Sequence, residues 1–542
     1  MPRLPHGTVV TLEDLRETRK AFAERSARET LAFAAVTPAD TQDFGYMFPR
    51  LQQDPDNLLP VARKTRDDLV ALGRTTRDAG GQAGGGNSRI PAAYTYFGQF
   101  VDHDVTLETV SASLPELLDP DLEPLRRAEI RDNIRNARTA TLELDSVYGL
   151  PAPRVGARMS IGRVAELGAT DKPLLRPPGK DDENDLPREP RSEDPQHDRA
   201  ALIGDPRNDE NTVVAQLHLA FLLAHNRLVD EGENFAGARR VLRRHYQHVV
   251  LHDFLKRIAD PQVVDATIEQ NRVFDPDDDR FSMPLEFAVA AYRFGHSMVR
   301  ADYDFNLNFN KSGEPGTTPA TLGLLFTFSA LSGQLGEFDT LPENWIIEWE
   351  SFLNVGGPFN RARSIDTKLV EPLFELPDLR GRTLPGDRAR LAVRNLLRGY
   401  LLRLPTGQAV ARALRDELSG VRDVPVLTPA QIRSGAGSAE QVQVLESAGF
   451  LERTPLWFYI LAEAAALEEG ERLGPVGSTI VAEVFVGLIR RSENSILRAA
   501  NWTPSLPSTE PGTFTLADLL RFAGVLGQQD GSLEPARPDI DT

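Results

Sequence analysis

Val213–Asp230 reads VVAQLHLAFLLAHNRLVD, apolar on nearly every side of a helix. A helix of that character is buried, so the chain encloses at least one helix completely. The same style continues outward through Ala238–Ile258, Leu285–Arg300, Arg388–Leu404, Gln408–Glu417, Leu456–Glu469 and Ser478–Ala499. Runs of alternating polar and apolar residues are scarce, so strands should be few and short. The pattern predicts a mainly α fold, a large single-domain helical protein. Over the 542 residues it predicts an N-terminal arm with a Gly-rich loop (1–90), a helical core (91–525) and a flexible tail (526–542). No repeat of solenoid period is present.

Three stretches read as loops. Asp78–Asn87 holds five glycines but lacks the G-K-[ST] ending of a phosphate loop. Asp171–Arg199 is dense in Pro, Asp, Glu and Arg and reads as a solvated excursion with too little apolar content to pack. The third is the tail, Gln528–Thr542.

Composition narrows the function. Apolar residues make up 41% and charged residues 26% of the chain, as in ordinary globular proteins. The net charge of −18 argues against nucleic acid, which needs a basic footprint, and against anionic lipid. There is no cysteine, which removes disulfides, thiolate haem ligation, iron–sulfur clusters and cysteine nucleophiles. Met1–Gly7 carries no apolar run of signal-peptide length, and no stretch is long and apolar enough to span a bilayer. The expectation is a cytoplasmic protein, or one exported without a cleavable signal, with no membrane partner; the oligomeric state is not legible.

The nine histidines stand at 6, 103, 197, 218, 225, 245, 248, 252 and 296. His245, His248 and His252 share a helical face, either a metal site or a semi-buried polar face. His103 lies between two carboxylates in Tyr96-Phe-Gly-Gln-Phe-Val-Asp-His-Asp104. Asp102 and Asp104 stand about 200° apart on a helix, so they serve different surroundings. His296 follows Gly295, whose missing side chain lets a flat cofactor approach the backbone. Thr139, Thr141, Glu143 and Asp145 alternate along the chain; in an extended loop they face one side and suit a hard cation such as Ca²⁺.

Taken together, these segments resemble the animal-type haem peroxidases, the peroxidase–cyclooxygenase superfamily, in its bacterial soluble form. Gly98-Gln-Phe-Val-Asp-His-Asp104 meets the pattern G-Q-x-x-D-H-D, Gly204-Asp-Pro-Arg-Asn-Asp-Glu210 meets G-D-x-R-x-x-E, and Arg293-Phe-Gly-His296 meets R-x-G-H. Asn395, in Val393-Arg-Asn-Leu-Leu-Arg398, matches the asparagine that supports the proximal histidine. The resemblance runs from about residue 40 to 525.

The resemblance implies haem b and a peroxidase that reduces H₂O₂ through a high-valent iron state and oxidises small donors: halide, thiocyanate or phenol. It makes His103 the distal base, Arg207 the charge that supports O–O cleavage, and Gln99 the group that orients a ligand beside them. His296 becomes the iron ligand, with Asn395 accepting a hydrogen bond from its other ring nitrogen. Arg293 is expected near a haem propionate or near Asn395. Asp102 and Glu210 match the carboxylates that esterify the haem. Members with a third, sulfonium link carry methionine where this chain has Asn211. Asp104, Thr139, Thr141, Glu143 and Asp145 match a Ca²⁺ site; glutamate replaces the usual aspartate at 143. Oxygenases of the superfamily keep a radical tyrosine where Arg293 stands, and Tyr292, about 100° round an α-helix, is expected to point elsewhere. A fatty-acid dioxygenase and a non-catalytic haem-binding protein are the alternatives.

Overall fold

The computed structural model describes residues 10–11, 42–78, 87–110, 114–149, 153–167, 182–275, 281–312, 316–378 and 380–527. The Gly-rich loop between Asp78 and Asn87, the first half of the 171–199 loop and the tail from Gln528 lie outside the described residues.

The architecture is mainly helical, as the apolar patterning requires. Thr212–Asp230 forms the buried central helix, started by Asn211, whose side chain accepts from the Val214 N–H at 3.0 Å. Ala93–Val105 packs along it, with Phe100 stacked on Phe221 at 4.6 Å. Phe235–Ile258 covers the other side as one continuous rod, but its middle, Val249–Phe254, widens into a π-helical stretch. Leu391–Leu401, Gly407–Glu417, Leu456–Leu467 and Pro475–Arg491 complete the expected set, the last ending eight residues before Ala499. The strands are short. The largest sheet runs 10–11, 108–110, 134–136, 42–45, 282–284 in spatial order.

Three departures from the sequence reading matter for the site. Leu285–Arg300 is not one α-helix. It enters as a π-helical turn, Glu286–Ala290, breaks at Ala290 (φ −131°, ψ −69°) and continues as a 3₁₀-helix, Ala291–Met298. The buried Glu286 carboxylate pins the entry by accepting from the Met47 and Phe48 N–H groups at 2.8 and 3.3 Å. Second, within the span expected as an N-terminal arm, Arg63–Thr75 packs along Leu391–Leu401. A side chain at Gly73 would meet the Val393 backbone at 2.8 Å, and Phe44, Leu69 and Leu72 belong to the core.

Third, the 171–199 excursion is solvated only in part. Asn184, Asp185 and Leu186 are buried, as are Asp198 and Arg199. Low apolar content is offset there by internal charge pairing. The Arg188 side chain, 2% exposed, grips Asp185 through Nε at 2.6 Å and Asp209 through Nη1 at 2.6 Å. Removing one partner of such a buried group strands the others without a counter-charge, at about 3–5 kcal/mol. Arg188→Met should therefore lower stability by about that amount in a denaturant titration; a loss within about 0.5 kcal/mol, typical of a surface change, would contradict the pairing.

Candidate active site

The helix Ala93–Val105 carries Gln99, Asp102, His103 and Asp104, and its C-terminal end is closed by other chain segments. The last carbonyls of a helix have no partner within it. Here the His103 carbonyl accepts from Arg138 Nε at 2.9 Å and Arg207 Nη2 at 3.2 Å, and the Thr106 carbonyl from Arg207 Nη2 at 2.5 Å. The Val105 carbonyl accepts from Asn136 Nδ2 at 2.9 Å. Cations at a helix C-terminus also suit its dipole. Both arginines are held by Asp205, which is fully buried: Arg207 donates to it from Nε at 3.0 Å and from Nη2 at 2.6 Å, and Arg138 through Nη2. Burial alone pushes the Asp205 carboxyl up, but the two guanidinium groups push it further down, well below the ordinary range. Two cations on one anion leave one net positive charge next to His103.

His103 is 5% exposed, and its Nδ1 lies 2.8 Å from Asn208 Oδ1. Burial, then the Arg207 charge, lowers its pKa to about 3. The ring is therefore neutral and able to take a proton. Gln99 is fixed at both ends: its amide nitrogen donates to Glu210 Oε2 at 2.9 Å, and its oxygen accepts from Asn211 Nδ2 at 3.0 Å. Asn211 thus caps one helix and orients a side chain of another. Asp102 accepts from Thr106 Oγ1 at 3.1 Å, and burial raises its pKa.

On the facing side, His296 sits on the 3₁₀-helix 291–298. In a 3₁₀-helix residues three apart eclipse, so Arg293 and His296 stack on one face and both reach Asn395. Arg293 Nη1 donates to Asn395 Oδ1 at 2.9 Å, and Asn395 Nδ2 lies 3.0 Å from His296 Nδ1. Arg293 is thus found at Asn395, one of its two expected places. The polarity of the Asn395–His296 contact is the reverse of that expected. Arg293 occupies the amide oxygen, so the amide donates and Nδ1 accepts. A ring that ligates metal through Nε2 carries its proton on Nδ1, so binding there requires a half-turn of the Asn395 amide. Burial, then Arg293 and Arg394, lowers the His296 pKa to about 3, keeping the imidazole neutral as ligation demands.

These elements line a partly open cavity of about 810 Å³, within the roughly 300–1,000 Å³ of small-molecule and cofactor sites. His103, Arg207, Gln99, Asp102 and Glu210 line it from one side, His296, Arg293, Gly295 and Asn395 from the other. A side chain added at Gly295 would meet nothing within 4 Å. Arg394 lines the same space, and burial, then the Arg293 charge, lowers its pKa to about 10. These two half-buried guanidinium groups, both lining the cavity, favour an anionic group beside them. Tyr292 also lines the cavity, contrary to expectation, and its hydroxyl donates to the Gly98 carbonyl at 3.1 Å. The 3₁₀ step of about 120° turns Tyr292 no closer to Arg293 than an α-helix would; the cavity wall instead takes in consecutive residues of this segment, from Tyr292 to His296.

The oxygen-rich loop is only partly convergent. Asp104 is fully buried and accepts from the Leu144 and Ser146 N–H groups at 3.1 and 3.0 Å. Asp145 Oδ2 accepts from Thr139 Oγ1 at 2.7 Å, and Thr139 Oγ1 meets Thr141 Oγ1 at 2.7 Å. Burial, then the neighbouring Asp145 charge, raises the Asp104 pKa to about 7. Glu143 departs from the expected set: its carboxylate pairs with Arg243 at 2.7 Å and accepts from the Asn494 N–H at 3.3 Å. The longer side chain reaches past the loop instead of folding back onto it. His245 is a structural residue, donating to the Val241 carbonyl at 2.8 Å and accepting from the Ser505 and Leu506 N–H groups at 3.0 and 3.1 Å. Among the described residues, no group of three or more His, Cys, Asp or Glu side chains is placed to hold a metal.

Asp205, Arg138, Asn208, His218 and Arg394 were not singled out from sequence. Asn208 falls at a variable position of the G-D-x-R-x-x-E pattern, and only the fold brings it to His103.

Residues 124–328 match the family model of the animal haem peroxidases. That span holds the segments of Arg207 and His296, whereas those of His103 and Asn395 lie outside it. A peroxidase-like protein of Margaritifera margaritifera is 29% identical over 259 residues, 39% of this chain and 32% of the relative. A peroxidasin homologue of Caenorhabditis elegans is 27% identical over 201 residues, 33% of this chain and 15% of the relative. The chain thus spans a third or less of the length of these curated relatives. In fold it is similar to peroxidase A from Dictyostelium discoideum, with a TM-score of 0.54, 18% identity and coverage of 85% of this chain and 90% of that one. A fatty acid alpha-dioxygenase of Oryza sativa gives a TM-score of 0.53, 12% identity and coverage of 86% and 78%.

Gly295→Leu extends a side chain into the open cavity at no backbone cost, since Gly295 does not have a positive φ. The variant should keep its helical circular dichroism and lose most haem uptake; full stoichiometric uptake would place the haem elsewhere.

Proposed function

We propose that this chain, which carries an animal haem peroxidase domain, is a haem-dependent peroxidase that reduces H₂O₂ and oxidises small donors such as halide, thiocyanate or phenols. The observation that carries the reading is one cavity lined by two neutral histidines, His103 with the Arg207 guanidinium beside it and His296 with the Asn395 amide behind its ring. A site for haem binding alone has no use for the His103–Arg207 pair. Haem, when bound, supplies the iron that cleaves peroxide and holds the oxidising equivalents that donors discharge.

The residues suit that group once the Asn395 amide turns over, which also releases Arg293 from its oxygen. His296 Nε2 is the ligand, with Asn395 behind the ring. Arg293 and Arg394, on the cavity wall, would pair with the anionic propionates. His103 Nε2 accepts the first proton of H₂O₂ and returns it to the outer oxygen, which leaves as water. The Arg207 guanidinium stabilises the negative charge that develops on that oxygen. Gln99, held by Glu210 and Asn211, supplies a polar amide to the wall of the same cavity. Over a cycle, H₂O₂ gains two protons and two electrons to give two waters, and the donors supply the electrons.

Asp102 and Glu210 are proposed to form the ester links, because both carboxylates line the cavity on the His103 side. After turnover with peroxide, acid–butanone extraction should leave haem on the chain, and Asp102→Ala with Glu210→Ala should release it. Complete extraction from turned-over wild-type protein would exclude the links.

Ca²⁺ is proposed at Asp104, Thr139, Thr141 and Asp145, with the Glu143 carboxylate outside the shell. Two buried acids next to each other need such a counter-charge. Metal analysis of desalted protein should find about one calcium per chain; none, with activity indifferent to chelator, would exclude it.

The second reading, a fatty-acid dioxygenase, draws on Tyr292, which lines the cavity one residue before Arg293. Its hydroxyl is tied to the Gly98 carbonyl, and Arg293 keeps the position three residues before His296. His103→Ala should slow the reaction with H₂O₂ by roughly 10²–10⁴-fold. Linoleate with O₂ should give no fatty hydroperoxide, while H₂O₂ with bromide or a phenol gives oxidised donor. The opposite pair of results would establish the oxygenase.

A further inference from the structure

His103 does not face the protein interior alone. Its Nδ1 lies 2.8 Å from Asn208 Oδ1, and Asn208 Nδ2 lies 2.9 Å from His218 Nδ1. All three side chains are buried, Asn208 and His218 completely. They come from three elements: the helix 93–105, the 3₁₀ turn Pro206–Asp209 and the helix 212–230.

We propose that Asn208, backed by His218, is the positioning residue that fixes the tautomer and orientation of His103. The inference rests on the reading of His103 as the base on the peroxide side. A neutral imidazole has one N–H and one lone pair. An amide oxygen at Nδ1 requires the proton there, which leaves the lone pair on Nε2. That is the only arrangement in which Nε2 can take a proton from a peroxide in the cavity. The amide nitrogen is committed at the other end: it donates to His218 Nδ1, so His218 carries its proton on Nε2. Turning the amide over would require both rings to exchange tautomers together. The amide as placed thus keeps the His103 proton on Nδ1, with His218 Nδ1 accepting from its other end.

The turn that carries Asn208 is itself fixed by Asp205, which accepts from the Arg207 N–H at 2.9 Å through its side chain and from the Asn208 N–H at 3.1 Å through its carbonyl. Once His103 has taken a proton, the Nδ1–H to Oδ1 bond persists and becomes charge-assisted. A neutral amide supports that imidazolium less than a carboxylate would, so the proton is easily returned. Asn395 makes the contrast on the other side of the cavity, where the nitrogen end of the amide faces His296 Nδ1.

The test uses the haem-loaded full chain and two readouts. The first is the association rate of cyanide, which enters as HCN and must give its proton to the same base without any donor oxidation. Asn208→Leu should slow it by roughly 10–100-fold, as losing an orienting partner of a histidine does. Asn208→Asp, which keeps the acceptor, should recover most of that loss, and His218→Phe should fall between. The second is the nitrogen-15 spectrum of histidine-labelled protein in its diamagnetic ferrous carbonyl form, assigned with His103→Ala; the wild type should show His103 protonated on Nδ1. If Asn208→Leu does not accumulate folded, His218→Phe and Asn208→Asp decide: reduced and retained rates support the relay, and wild-type rates in both overturn it. A proton on Nε2 of His103, or an Asn208→Leu rate within about twofold of wild type while His103→Ala is slow, overturns the inference and leaves the base assignment standing. An unchanged rate in His103→Ala removes the base assignment and the relay together.

Discussion

The site depends on one buried carboxylate. Asp205 takes Arg207 and Arg138 at once, and both arginines reach the carbonyl of His103. A single interaction therefore ends the helix that carries His103, fixes the charge beside it, and starts the turn that presents Asn208 and Glu210. A carboxylate in that position without its two partners would be prohibitively costly, and the arginines without it would be two unpaired buried cations. The three stand or fall together, so the His103 side of the cavity is assembled as a unit.

The other side is built by a different device. The 286–298 segment forgoes regular α-helix, and the 3₁₀ geometry places Arg293, His296 and Asn395 in one contact. Tyr292 lines the same cavity, its hydroxyl donating to the Gly98 carbonyl. Both π-helical stretches among the described residues, 249–254 and 286–290, lie in the segments that pack around the 93–105 helix. At Gly98 that helix has room for no side chain without crowding Phe254, 3.2 Å from where a Cβ would stand. Irregular helix is used here to set positions that a regular repeat does not reach.

The helices with strong apolar periodicity were legible in the sequence, as was a set of candidate residues that the fold gathers. His103, Arg207, His296 and Asn395 come from four distant segments and meet at one cavity. What escaped it was whatever depends on the local path of the backbone. The break at Ala290, and hence the side on which Tyr292 emerges, has no proline or glycine to announce it. Glu143 left its expected set because Arg243, a hundred residues away, offers a better partner. The charged stretch after Asp182 packs because Arg188 finds Asp209, a pairing between segments that composition does not reveal. Asn208 gained its meaning only from the fold.

The central claim is that His296, and no other side chain, binds the haem iron while His103 stays unligated across from it. Resonance Raman spectroscopy of the ferrous haem-loaded protein tests this directly through the iron–histidine stretching band. The band should be present in the wild type, absent in His296→Gly, restored there by added imidazole, and unaltered in frequency by His103→Ala to the extent that the facing side is independent. A band that survives His296→Gly without imidazole, or a six-coordinate spectrum that becomes five-coordinate only in His103→Ala, would contradict it.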